Sequence, residues 1–160
     1  MSVSAAAVWK ALGEVMDPEL PVVSVVELGM VRGVAVEGGR VTVALTPTFA
    51  GCPAQAMMQA AIAERVQALG ATEVEVTLQL APPWTTDWMT PAAREKLKGV
   101  GLATPRAHGG LIQLVLDEAV ACPYCGSTQT EMRNAFGPTL CRAIYFCNGC
   151  RQGFEQFKPL

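Results

Sequence analysis

Two C-x-x-C pairs, Cys122-Pro123-Tyr124-Cys125 and Cys147-Asn148-Gly149-Cys150, constrain this chain more than any other feature. Each pair can present two sulfurs to one ion from a tight turn. The 21 residues between the pairs suffice for a hairpin that brings them together as a tetrahedral S4 site. Phe136-Gly137-Pro138 supplies the turn of that hairpin and Leu140 to Phe146 one of its strands. Gly126, after the second cysteine, can free a backbone N–H to point at sulfur. A tetrahedral S4 site suits zinc or iron. Zinc is favoured, because it is redox-inert and adds folding energy to a segment too small for its own core. The alternative, two disulfides, fits short secreted chains, whereas five of the six cysteines here fall between 122 and 150 of a 160-residue chain.

Other residues of this module are less specific. Four thiolates on Zn²⁺ carry a formal charge of −2, which Arg133, Arg142 and Arg151 can offset; they are equally well ordinary surface charges. Cys141 has no C-x-x-C partner, and reads as a small buried strand residue, an alternative ligand or a redox-sensitive thiol.

Upstream, the chain reads as helix, two strands, helix, strand, helix. A helix over 4–16 places Val8, Trp9, Leu12, Val15 and Met16 on one face behind a Ser4 cap, and Asp17-Pro18 stops it. Val-rich 22–36 and 40–45 suggest a hairpin around Gly38-Gly39. The pattern predicts a helix from Pro53 to about 69 with Cys52 at its N-cap, a strand over 73–80, and a helix starting at Thr90-Pro91 and stopping near Gly99. Residues 100–110 read as a linker and 111–116 as a short strand. The expected fold class is α+β: a small mixed sheet with helices packed on one face (domain 1–110), followed by a zinc-ribbon-like module (111–160).

Composition narrows the function. Half the residues are apolar, yet no apolar run reaches the ~20 residues of a membrane span. No signal peptide is evident, so a cytoplasmic location is expected. A net charge of −2 supplies no broad basic footprint for nucleic acid. There is no Ser-His-Asp set, phosphate-cradling loop or paired-carboxylate site. His108, the only histidine, reads as a loop residue, and Trp84 and Trp88 as either a partner surface or a cover for the core.

Two segments carry chemistry. Asp17, Glu19 and Glu27 set carboxylates against an apolar run, where ionised groups need partners, so they are candidates for a polar cluster; turn formation and an edge position are the alternatives. Cys52, at a loop-to-helix junction, would face unpaired N–H groups that favour thiolate, or would be an inert N-cap.

The stretches Asp17-Pro18-Glu19-Leu20-Pro21 to Val31 and Leu45 to Ala54 resemble the iron–sulfur cluster assembly family that includes SufT. Pro82 to Thr90, Ala93 to Leu97, Cys122 to Ser127, Phe136 to Ala143 and Phe154 to Lys158 narrow the resemblance to the PaaD family of phenylacetate-degradation accessory subunits. It covers nearly the whole chain. It implies a non-enzymatic maturation factor for a multicomponent phenylacetyl-CoA oxygenase, with the oxygenase and reductase components as partners and a homodimer left open. The alternative is a structural docking subunit. The family's cluster-ligand cysteine maps onto Cys52, its acidic motif onto Asp17, Glu19 and Glu27, and its zinc-type site onto Cys122, Cys125, Cys147 and Cys150. Cys52 alone cannot hold an iron–sulfur cluster, which usually takes four cysteines, so a cluster there would be transient and shared with a second chain, Cys141 or the client.

Overall fold

A computed structural model describes residues 3–109 and 119–160, which divide into two compact units, 1–84 and 85–160. The strand expected over 111–116 and the boundary expected at 110/111 touch residues outside the described set.

In the first unit, α1 (Ala5–Leu12) precedes β1 (Val31–Glu37), β2 (Arg40–Leu45), α2 (Gln55–Gln67) and β3 (Glu73–Leu78). The sheet order is β1-β2-β3, with β1 and β2 antiparallel and β2 and β3 parallel, so the sheet is mixed. Val41, Val43 and Leu45 alternate along the central strand and are fully buried. Met58, Ile62 and Val66, one per turn of α2, are buried with them. α2 packs on β3, and α1 on α2 and β1. Among the described residues no helix is long and apolar enough to cross a membrane.

Three sequence expectations change. The first helix keeps its Ser4 cap, whose side chain accepts the Ala7 N–H, but stops at Gly13 rather than near Met16. The cause is a better use for the following backbone: Val25 donates to the Val15 carbonyl at 2.9 Å and Asp17 to that of Val23 at 3.0 Å. The Val-rich run 22–30 is turns rather than strand, although Val23, Val25, Leu28 and Met30 are fully buried. Ser24 explains this. Its hydroxyl accepts the Glu27 N–H at 3.1 Å while the Glu27 carboxylate accepts the Ser24 N–H at 2.9 Å, a reciprocal capping box that closes one helical turn. Third, α2 begins at Gln55 with Ala54 as its cap, leaving Cys52 outside the helix.

The second unit contains a 3-10 turn (Thr86–Trp88), α3 (Pro91–Gly99), β4 (Leu102–Ala103), β5 (Thr130–Asn134), β6 (Arg142–Cys147) and β7 (Gly153–Phe157). The sheet order is β4-β7-β6-β5. The helix α3 starts as expected, with Thr90 accepting the Ala93 N–H ahead of Pro91. This helix and β4 group with the cysteine module because Leu102–Ala103 pairs with Glu155–Gln156 of β7. Ala103, Ala143, Tyr145 and Phe154 form a small core with Cys122 and Cys147, and the Tyr145 and Phe154 rings stack at 5.7 Å.

Candidate metal centre

Each C-x-x-C pair sits on a turn of the same design. In the first, Cys122 donates to the Ser127 carbonyl and Gly126 to that of Cys122, both at 2.9 Å. In the second, Cys147 donates to Gln152 and Arg151 to Cys147, again at 2.9 Å. The residue after each second cysteine takes the left-handed conformation, Gly126 at φ 75° and Arg151 at φ 63°. A methyl group added at Gly149 would meet the Ser127 hydroxyl at 3.0 Å, so the two turns abut closely.

The hairpin of β5 and β6 brings the turns together as the spacing predicts, with Thr130 opposite Cys147 and Asn148 donating to the Gln129 carbonyl at 2.8 Å. All four sulfurs lie within 4.8 Å of one another. Across the turns, Cys122 and Cys150 approach to 3.7 Å and Cys125 and Cys147 to 3.6 Å. A tetrahedron of Zn–S bonds of ~2.3 Å has S···S edges of about 3.8 Å, so these two edges match a zinc site. All six cysteines are free thiols. The Cys150 N–H points at the Cys147 sulfur from 3.5 Å and holds that thiol down to about 7, while burial pushes Cys150 up to about 12. One member of the set is thus readily ionised and another holds its proton until a cation displaces it. Cys141 stands apart from this group: it is buried, 3.1 Å from the Thr139 hydroxyl.

The three arginines of the module find other partners. Arg142 pairs with Glu155 at 2.9 Å and Arg133 with Glu131. Arg133 and Arg151 both lie over the Phe146 ring, at 5.0 and 5.9 Å from its centre.

Cys52, in the first unit, sits half-buried in the loop joining β2 to α2. Its N–H donates to the Phe49 carbonyl at 3.0 Å and its own carbonyl accepts from Gln55 at 3.2 Å. The Phe49 ring folds back to 3.3 Å from where a Gly51 methyl group would stand, and is 42% exposed, an apolar surface on the loop that carries the cysteine. At the start of the same loop the Thr46 hydroxyl is buried with no hydrogen-bond partner among the described residues. Sequence reasoning does not find Thr46; its isolation depends on burial contributed by residues far away in the chain.

The carboxylates have local duties. Asp17 is buried and accepts the Glu19 and Leu20 N–H groups at 2.8 and 2.9 Å, and Glu27 closes the capping box. Among the described residues, Asp17, Glu19 and Glu27 join no group able to hold a metal with Cys52; the four C-terminal cysteines do form one.

The tryptophans and the histidine resolve differently from each other. Trp84 is buried, its indole N–H donating to the Leu28 carbonyl at 2.9 Å, so it covers the first unit's core. His108 is more than a loop residue. Its Nε2 lies 3.0 Å from the Leu160 carbonyl and 3.2 Å from the Thr85 hydroxyl, while the His108 and Gly109 N–H groups donate to the Asp87 carboxylate at 3.0 and 2.7 Å. No short motif connects these positions, which lie 21 to 52 residues apart.

Comparison with known proteins finds a family model in each half of the chain. Residues 111–158 match the family model of the PaaD zinc beta ribbon domain, and residues 5–78 that of the iron–sulfur cluster assembly protein. An Escherichia coli protein that carries the provisional name of a 1,2-phenylacetyl-CoA epoxidase subunit is 44% identical over 94% of this chain and 90% of its own. An Fe-S protein maturation auxiliary factor of Porphyromonas gingivalis is 34% identical over 55% of this chain and 85% of its own. Among solved structures, a conserved hypothetical protein of Thermotoga maritima is 36% identical, with a TM-score of 0.53 over 60% of this chain and 95% of its own. A DUF59 domain of Bacillus anthracis is 29% identical, with a TM-score of 0.54 over 57% and 89%.

Proposed function

Because the chain belongs to the PaaD family, joining an iron–sulfur assembly domain to a zinc β-ribbon, we propose that it is a non-catalytic maturation factor for a phenylacetyl-CoA epoxidase. Its task in this reading is to assist assembly of an iron–sulfur or other metal centre in the oxygenase or reductase component. Two thiol sites divide the work. Cys122, Cys125, Cys147 and Cys150 hold a structural zinc, which closes the second unit around a core that contains two of its own ligands. Cys52 handles the cargo.

The observation that carries this reading is the loop from Thr46 to Pro53. It offers a solvent-reachable thiol, an exposed aromatic wall and a buried hydroxyl with an unused hydrogen bond, on a unit whose relatives include a maturation factor. Cys52 supplies one thiolate where a cluster usually takes four, so the cargo is held jointly with a second copy of this chain and passed on to the client. Asp17 and Glu27 serve as scaffolding, fixing the turns at 17–20 and 24–28.

Anaerobic reconstitution with iron and sulfide tests this, with zinc quantified in the same samples. The wild type should gain cluster absorption that Cys52→Ser lacks at equal zinc content. Equal absorption in both proteins would refute a cargo role for Cys52.

A second reading, a docking subunit without transfer, is favoured by the hairpin tip between β5 and β6. There Phe136 and Leu140 are 68% and 57% exposed.

A further inference from the structure

Arg151 is the one non-glycine residue with a positive φ among the described residues. In the left-handed region a Cβ crowds the backbone, a cost that glycine avoids. The first cysteine turn has the same two backbone hydrogen bonds and meets the same demand with Gly126. The backbone therefore does not require an arginine at 151. A strained residue that the fold does not need points to a use for its side chain.

The arginine side chain is exposed and lies over Phe146 together with Arg133. Arg133 already has Glu131, whereas Arg151 has no carboxylate partner among the described residues. Phe146 faces Gly153 across the sheet, so no side chain covers the ring from that strand. Ile144, two residues earlier on the same face, is 36% exposed. The result is an aromatic ring flanked by two guanidinium groups and continued by an aliphatic side chain. That surface complements carboxylates interspersed with apolar groups. Nucleic acid fits it poorly. Binding there depends on a track of phosphate contacts, whereas this face offers two guanidinium groups over one ring rather than a track.

We propose that Arg133, Phe146 and Arg151 form a receptor for an acidic, partly apolar segment of a partner protein. The receptor rests on the maturation reading only for the partner's identity, the oxygenase component.

The full zinc-loaded chain can be titrated into a fluorescein-labelled peptide of four glutamates around one tryptophan. Its glutamine counterpart and a labelled single-stranded DNA serve as controls, all followed by anisotropy at low salt. The glutamate peptide should bind in preference to both controls. Arg151→Gly should weaken it at least tenfold while keeping zinc at one per chain and the melting temperature unchanged or higher, because the strain is relieved. Arg133→Ala should weaken it in the same direction. No binding of the glutamate peptide, equal binding by Arg151→Gly, tighter binding of DNA, or zinc loss in Arg151→Gly would each overturn the proposal. Purified oxygenase component should displace the peptide. Failure of that step alone would count against the oxygenase as partner and leave the receptor standing.

Discussion

At the scale of single residues, the cysteines divide into a set of four and two that stand apart from it. Cys147 is fully buried in the core of the second unit and donates a sulfur to the S4 set. Cys147→Ser should therefore lose both zinc and fold in that unit, forfeiting metal binding worth roughly 10–16 kcal/mol in isolated zinc modules; zinc per chain and near-UV circular dichroism check this. Protons compete for the same sulfurs. In the folded turns Cys150, pushed up to about 12, keeps its proton at neutral pH until zinc displaces it, and Cys147, at about 7, gains its proton as the solution is acidified through that value. Zinc uptake should release protons, more of them below pH 7, and affinity should fall with acidification; calorimetry in buffers of different ionisation enthalpy measures both. The Ser24–Glu27 pair makes a different claim. Glu27→Ala should cost about 1 kcal/mol and Glu27→Gln less, since glutamine can also close a capping box; urea midpoints of the first unit decide. The four-cysteine site is legible in the sequence because its ligands announce themselves by spacing. The capping box is legible too, as Ser-x-x-Glu, but the valines around it outweigh it and suggest a strand.

At the scale of elements, legibility follows local chemistry. α3 is evident because Thr90, Pro91 and Gly99 mark its ends, and β3 because its apolar residues alternate. The end of α1 is hidden because Val15 and Met16 continue the helical period, while the competing hydrogen bonds come from Val23 and Val25 across the next turn. Cys52 looks like the cap of α2 because Pro53 reads as a first helical residue, yet the chain makes one more turn before Gln55. The link between α3 and β4 is where an element depends on the metal turn. Gly101 has φ 81°, and a Cβ there would come within 2.2 Å of the Tyr124 hydroxyl, in the middle of the first C-x-x-C pair. Gly101→Ala should destabilise the second unit by about 1–3 kcal/mol. Adding Tyr124→Ala should recover the part due to the clash and leave the part due to φ. Thermal unfolding of the single and double variants separates the two.

At the scale of the whole molecule, the chain joins a unit that folds on aliphatic packing to one whose small core contains two members of a four-cysteine set. Removing zinc with a chelator should abolish one calorimetric transition and leave the other, that of residues 1–84; a single transition lost or kept as a whole would show the units to be one cooperative system. The two-part organisation is evident from sequence, since apolar periodicity gives way to paired cysteines. The membership of α3 and β4 is not, because their place depends on strand pairing with Glu155 and Gln156 more than 50 residues later. In the proposed reading, function follows the same division, with the ribbon docking and Cys52 handling the cargo. The most direct test uses oxygenase produced without this chain, purified, and treated with cluster-loaded wild type or Cys52→Ser. The account predicts an enzyme deficient in metal that recovers metal and epoxidase activity with wild type but not with Cys52→Ser. An oxygenase already fully metallated, regaining activity equally with either protein, would contradict it.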